Sequence, residues 1–333
     1  MTSSHRMIVT EDSHVGVARR YVAEICKRLS ADEVFCGKAA IVATEMARNV
    51  VRHGNGGEII VRQISPPAGS GLELLGLDQG PGLRDLNECL RDGFSTGGTM
   101  GSGLGAIRRL ADRFEIFSQP DRGTIAWVRL YPSDAETVAH AFETSGVSVA
   151  IEHEKLCGDG WEVLETEGVL RAIVVDGLGH GPFAEQASRE AVAVFRSQPR
   201  TGVASTLSLI DKALTKTRGA AGAIVELSPR KRQVTAAGVG NVSMHLLHDG
   251  RSKSFGCDNG TLGAGVKRIN EFRHPWEERS VLVMHSDGIR ARWSLADYPG
   301  LVRRHPGVVA GLLYRDFQRE SDDATVIVVR HQL

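Results

Sequence analysis

Two hydrophobic periods alternate through the first third of the chain. Residues 6–10 read as a short strand. Val15, Ala18, Val22, Ile25 and Leu29 then recur at helical spacing, behind Asp12 and Ser13, either of which can cap a helix. A second helix is expected over 32–53, with Val34, Phe35, Ala39, Val42, Met46 and Val50 as its apolar stripe and Gly54 as its stop. Apolar runs at 58–65 and 72–78, joined by Pro66-Pro67-Ala68-Gly69-Ser70-Gly71, read as a hairpin. After a long loop, Gly101-Ser102-Gly103-Leu104-Gly105 opens a helix running to Ala111. Strands over 114–118 and 124–131 follow, joined by the turn Pro120-Asp121-Arg122-Gly123.

From Val147 the pattern changes. Strands are expected at 147–153, 161–166 and 170–176, then helices at 183–197 and 203–218. Strands return at 221–227, 232–239, 242–248 and 281–286, before a helix at 306–319 and a last strand at 324–330. Strands, a helical block, then more strands suggest an α+β sandwich with helices covering sheet faces. Residues 133–146 are short and polar at the start, with one candidate helix over 135–142. The expected organisation is therefore a first domain over 1–132, a linker over 133–146 and a second domain over 147–333. No internal repeat relates the two halves.

Length agrees, since 333 residues exceed one ordinary core. Hydrophobic content of 41% and charged content of 24% are those of a soluble globular chain. Lys+Arg and Asp+Glu balance at 40 each, which gives no bulk reason to expect nucleic acid or an anionic membrane as a partner. Five scattered cysteines without a CxxC pair argue against structural zinc and a disulfide framework, so a reducing cytoplasm is expected. No apolar run approaches the roughly 20 residues of a spanning helix, and the N-terminus has no signal-peptide pattern.

Glycine clusters mark the candidate chemistry. Glu45 and Asn49 stand at i and i+4 on one helix and project side by side, which by itself more often marks a solvated face. Asp78-Gln79-Gly80-Pro81-Gly82 ends a strand with a carboxylate that can accept from an adenine amino group while backbone packs close to the ring. A glycine-rich turn at a helix N-terminus, as at Gly101–Gly105, suits phosphate. The ordered set, completed by Gly123-Thr124, resembles the GHKL superfamily of ATP-binding domains. With Ala43-Thr44-Glu45-Met46-Ala47-Arg48-Asn49 and Asp92-Gly93-Phe94-Ser95-Thr96-Gly97-Gly98 it looks most like the RsbT type of small serine kinase in bacterial partner switching. The resemblance implies an α/β two-layer sandwich of GHKL (Bergerat) type that binds ATP with Mg²⁺. Asn49 would hold the Mg²⁺ and Glu45 would be general base on a protein hydroxyl. Asp78, Gly80 and Gly82 would receive adenine, and Gly101, Gly103, Leu104, Gly105 and Thr124 would complete the nucleotide site. Such transfer needs both a base and a metal. No helix pair carrying a phosphoacceptor histidine precedes the domain, so a histidine kinase is not expected.

In the second half, carboxylates fall at strand ends or turns four times: Gly158-Asp159, Asp176-Gly177, Ser286-Asp287-Gly288 and Asp322-Asp323-Ala324-Thr325. One Asp-Gly is usually an ordinary turn. Four in one domain point to Mg²⁺ or Mn²⁺, and the lack of a His/Cys cluster argues against zinc. Two such ions activate water for phosphoester hydrolysis. With Asp176-Gly177-Leu178-Gly179-His180-Gly181, Gly238-Val239-Gly240-Asn241 and Leu262-Gly263, the series resembles the metal-dependent PPM (type 2C) serine/threonine phosphatases, nearest their SpoIIE/RsbX branch. The resemblance implies α-β-β-α layers and two Mn²⁺ or Mg²⁺. Asp176 would bridge both ions and Gly177 would bind through its carbonyl. Asp287 and Asp322 would complete one ion, with Asp159 acting directly or through water. His180 is a proton donor or an ordinary turn residue. Together the resemblances imply a bifunctional regulator, a protein serine/threonine kinase plus a phosphoprotein phosphatase. Its partners would be STAS-domain proteins that control a sigma factor or belong to a stressosome. The alternative is an ATP-binding anti-sigma or partner-sequestering module fused to a working phosphatase. Domains of the first kind are often dimeric, so a homodimer is also an expectation.

Overall fold

An antiparallel sheet with helices on one face begins the chain, as the two periods require. The computed structural model describes residues 4–64, 70–83, 103–132 and 140–332. Residues 66–69 of the expected turn 66–71, Gly101 and Ser102, the stretch 92–98 and linker residues 133–139 lie outside the described residues. Contacts divide the chain into two units, one drawn from Ser4–Val138 with Arg303–Arg315, the other from Ala139–Val302 with Asp316–Leu333.

The first unit contains β1 (Ser4–Val9), α1 (Asp12–Arg28), α2 (Glu33–His53), β2 (Gly57–Ile64), β3 (Gly71–Asp78), α3 (Gly103–Leu110), β4 (Arg113–Ser118) and β5 (Thr124–Leu130). The sheet order is β1-β2-β3-β5-β4. Asp32 caps α2, its Oδ1 accepting from the Phe35 amide at 2.8 Å. For α1 the N-cap is Glu11, without a side-chain cap bond, and Asp12 instead lies in the first turn, where its charge suits the helix dipole. Val42, Met46 and Val50 of α2 pack with Ile59, Leu72 and Leu74 of the sheet.

All of β3 is buried, so the opposite sheet face needs a cover too. Part of that face is ionic: cross-strand neighbours Arg62, Glu73 and Arg129 pair at 2.7 Å and 2.6 Å with both Glu73 oxygens. The apolar part, Leu75, Leu77, Ile125 and Trp127, meets the segment Arg303–Arg315. A Cβ added at Gly311 would stand 3.2 Å from Leu75, Leu77 and Ile125, and His305 stacks on Trp127 at 3.6 Å. Chain order had assigned this helix to the second domain, over 147–333. Its contacts assign Arg303–Arg315 to the first unit, because the apolar far face of that sheet requires a partner.

The second unit contains β6 (Phe142–Val149), β7 (Asp159–Thr166), β8 (Val169–Gly177), α4 (Pro182–Ser197), α5 (Val203–Ala213), β9 (Ala220–Ser228), β10 (Gln233–Val239), β11 (Ser243–His248), β12 (Arg251–Phe255), β13 (Phe272–Pro275), β14 (Val281–His285) and β15 (Ala324–His331). Helix α6 (Pro306–Phe317) carries the segment already described. Two five-stranded sheets form, β13-β10-β9-β8-β7 and β12-β11-β14-β15-β6. Strand β6 occupies 142–149 and pairs along β15, so residues 142–146, expected as linker, are sheet. Ala172 and Val174 of β8 join Trp161, Val225, Met244, Leu282 and Ile327 in one core. Ile173 and Val175 join Ala187, Phe195, Leu207 and Ile210 of α4 and α5 in another. Burial on both faces explains why β8 is a continuous apolar run rather than an alternating one. Each fully buried Ile, Leu or Phe contributes about 1.5–3 kcal/mol. No helix among the described residues is long and apolar enough to cross a membrane.

Candidate functional site

Register alone brings the first two carboxylates of the second unit together. Asp159 and Asp176 are direct cross-strand partners in β7 and β8. Asp176 has the parity of Ala172 and Val174, so it projects from the face that packs on the other sheet. There, Ser286-Asp287 follow β14, Asp322-Asp323 precede β15, and the two strands are neighbours. Ser286 ties the two sheets: its Oγ donates to Asp159 Oδ2 at 2.6 Å and accepts from the Thr325 amide at 3.0 Å, while its own amide donates to the Thr325 carbonyl at 3.0 Å.

The adjoining backbone permits no side chains. A Cβ on Gly177 would approach the Ala184 carbonyl oxygen to 2.2 Å, and one on Gly288 the Asp323 oxygen to 1.9 Å. Asp323, the second of two adjacent aspartates, is a brace, accepting from the Ile151 and Gly158 amides at 2.7 Å each. Asp322 is left half-buried toward the other acids. Asp287 Oδ2 accepts from Asn241 Nδ2 at 2.7 Å.

Electrostatics mark these acids as a set. Burial, then the charges of Asp287 and Asp322, push the Asp176 carboxyl up to about 8. Burial, then Asp176, raises Asp159 well above the usual carboxylate range, against the opposing hydrogen bond from Ser286. Burial and Asp287 raise Asp322. Among the described residues, no three His, Cys, Asp or Glu side chains already enclose an ion-sized point. The register holds the four backbone positions together, and the carboxyls of Asp176 and Asp322 each approach that of Asp287. Oxygen-only donors suffering mutual repulsion fit a hard divalent cation. His180 is exposed, its Nδ1 2.8 Å from Glu154 Oε1. Asn241, Ser286 and Asp323 lie within the motifs read from the sequence but were given no role there, and Glu154 carried no sequence signal at all.

In the first unit, α2 presents Glu45 and Asn49 beneath the start of α3. A Cβ on Gly103 would stand 3.2 Å from Asn49 Oδ1 and 3.3 Å from Glu45 Oε2. Asn49 Nδ2 is buried and has no hydrogen-bond partner among the described residues, an arrangement that fits a ligand completing it. Glu45 Oε1 accepts from Arg48 Nη1 at 2.8 Å. Asp78 ends β3 with Oδ1 accepting from the Gly80 and Thr124 amides at 3.0 Å and 3.1 Å, and burial raises its carboxyl. Its Oδ2 has no protein donor among the described residues.

Glycines crowd that aspartate. A Cβ at Gly54 would lie 2.4 Å from Asp78 Cβ, and one at Gly123, where φ is +71°, 2.1 Å from the Asp78 carbonyl oxygen. At Gly80 a Cβ would lie 2.7 Å from Gly54 Cα, and at Gly82 2.0 Å from the Gln119 oxygen. Arg315 Nη1 donates to the Asp78 carbonyl at 2.7 Å. Leu104 and Gly105 follow Gly103 on α3. Thus Glu45, Asn49 and Gly103 come together at one place, and Asp78, Gly80, Gly82 and Thr124 at another.

A helix-backed antiparallel sheet with this constellation defines a nucleotide-binding domain, and the carboxylate-edged sandwich defines a phosphatase-like one. Residues 8–130 match the family described as histidine kinase-like ATPase domain. Residues 166–332, half of the chain, match stage II sporulation protein E (SpoIIE), and the chain belongs to that family. The first part is 34% identical over 116 residues to the serine/threonine-protein kinase RsbT of Bacillus subtilis (strain 168), covering 34% of this chain and 87% of the relative. A later stretch is 27% identical over 140 residues to the phosphoserine phosphatase RsbX of the same organism, covering 41% of this chain and 70% of the relative. A chain in a solved structure concerning the bacterial stressosome, a modular system adapted to control secondary messenger signaling, superposes with a TM-score of 0.53 at 31% identity. That match covers 57% of this chain and 99% of the other. The protein therefore joins an RsbT-like domain of GHKL fold to an RsbX-like domain of PP2C fold.

Proposed function

We propose that the protein is a partner-switching regulator whose second unit hydrolyses phosphoserine or phosphothreonine on STAS-domain proteins and whose first unit is an ATP-dependent kinase for such proteins. The observation that carries the phosphatase reading is geometric: Asp159 and Asp176 face each other across β7 and β8 while Asp287 and Asp322 flank the neighbouring strands β14 and β15, and burial with the charges of Asp287 and Asp322 raises Asp176 to about 8. Asp176, Asp287, Asp322 and the Gly177 carbonyl would hold two Mn²⁺ or Mg²⁺, with Asp159 acting directly or through water. When bound, these ions supply a water of lowered pKa and offset phosphate charge. Asp159 is oriented by Ser286 and Asp287 by Asn241, so each carboxylate keeps its direction as the charge balance changes.

In the first unit, Asp78 Oδ2 receives the adenine amino group beside Gly80 and Gly82. Asn49 orients Mg²⁺, and Glu45 takes the proton of the acceptor hydroxyl. The likeness to a stressosome structure supports a STAS-containing partner and a cytoplasmic setting. Dimerisation through the first unit is part of the same reading. The Glu45–Arg48 pair favours a second reading, in which this unit binds ATP and sequesters its partner without transferring phosphate, because that carboxylate is already engaged.

Incubation with [γ-³²P]ATP and STAS-domain proteins, with and without Mn²⁺, tests both. Label should enter the STAS protein with Mg²⁺ and be released faster when Mn²⁺ is added. Asp176→Asn should prevent the release and Glu45→Ala the entry. Release by the Asp176→Asn variant at the wild-type rate would sink the metal assignment.

A further inference from the structure

Beside the acidic centre lies a ledge that the hydrolytic reading does not use. Leu178 is 43% exposed and Phe183 61%. Large exposed apolar groups gathered on one rim mark interaction sites. The ledge is anchored to the site backbone, since the Leu178 amide donates to the Gly219 carbonyl at 3.0 Å. A Cβ at Gly179 would lie 3.1 Å from Arg218 Nη1.

Arg218 is placed without being neutralised. Its guanidinium carbon lies 4.9 Å from the Phe183 ring centroid, and it makes no ion pair among the described residues. An aromatic ring and an arginine on an apolar rim are the residue types that anchor protein interfaces. Arg218 is a fixed cation beside Leu178 and Phe183, complementary to an acidic side chain on an approaching polypeptide.

We infer that Leu178, Phe183 and Arg218 form the docking ledge for the polypeptide flanking the phosphorylated serine, taking an apolar side chain on Leu178 and Phe183 and an acidic side chain at Arg218. The inference rests on the phosphatase reading and adds the substrate's chemistry to it. The ledge discriminates among phosphoproteins. It leaves the phosphoryl chemistry to the aspartates.

The test uses the full-length protein with Mn²⁺ and three probes: a phosphoserine peptide flanked by Leu and Glu, the same peptide with Lys for Glu, and p-nitrophenyl phosphate, which has no flanking chain. Wild type should favour the Glu peptide over the Lys peptide by about fivefold in kcat/KM, through KM, as befits a partly solvated ion pair. Arg218→Glu should reverse that preference, and Phe183→Ser should raise KM for both peptides. Hydrolysis of p-nitrophenyl phosphate should change less than about twofold in either variant. Equal losses on all three probes would overturn the inference, because Arg218 would then act on the phosphoryl group or on folding. Unreversed peptide preference in Arg218→Glu would overturn it as well. If wild type hydrolyses none of the probes, the phosphatase reading itself falls.

Discussion

Asp176→Asn should stabilise the metal-free protein while destroying its response to metal. In the fold, burial and the charges of Asp287 and Asp322 hold the Asp176 carboxyl near 8, against about 3.9 in an unfolded chain. A raised carboxyl favours the folded state in its protonated form. That contribution is fully present below about pH 4 and is lost as pH rises toward about 8. At about 1.4 kcal/mol per tenfold, the cost of the charged form has an upper bound of about 6 kcal/mol. Asp176 is half-buried, so solvent screening should leave about 2 kcal/mol. Asparagine keeps the shape, can donate toward Asp287 and carries no charge. Calorimetry in EDTA at pH 8.5 should show the transition of the second unit about 4–8 °C higher in the variant, with the difference vanishing near pH 4. Adding Mn²⁺ at a hundredfold its dissociation constant should stabilise wild type by about 2.7 kcal/mol and the variant far less. If Asp176→Asn is no more stable than wild type at pH 8.5, or gains equally from Mn²⁺, the repulsion argument is wrong.

Three further perturbations probe the frame around the sites. Glu73→Ala removes the buried carboxylate that Arg62 and Arg129 share and should lower stability by about 3 kcal/mol, read from urea denaturation followed by tryptophan fluorescence. Ser286→Ala removes the donor that orients Asp159 and should weaken Mn²⁺ binding about tenfold by calorimetric titration, with little change in ATP affinity. Asp78→Asn replaces an acceptor held by two backbone amides. It should weaken ATP binding at least about tenfold by fluorescence titration, whereas Glu45→Ala should leave that affinity nearly unchanged.

Local pattern accounts for much of this molecule. The helical stripe ending at Val50 located α2, and the apolar run from Arg171 led to Asp176. Each needs only the side-chain period of one element. Glycine positions were legible for the same reason: where backbone approaches within about 2 Å of a missing Cβ, as at Gly177 and Gly288, no other residue fits. Short strands such as β12 and β13 carried too few residues for a period to show, and β6 was obscured by its polar Glu143, Thr144 and Ser145.

The sequence by itself thus determined which residues end strands and carry the candidate chemistry. Two matters belonged to the tertiary structure. Residue type does not separate Asp322 from Asp323, and only the family resemblance singled out Asp322; in the fold Asp322 faces the other acids while Asp323 holds the Ile151 and Gly158 amides. Adjacent residues point in opposite directions, and only the partners they meet give those directions a meaning. Likewise Pro306–Phe317 reads as one more helix of the second half, but Arg303–Arg315 belongs with the first unit's sheet. Hydrophobic burial is non-directional and blind to chain order. A helix apolar on every side joins whichever surface lacks a cover, and that vacancy exists only once the sheet has formed.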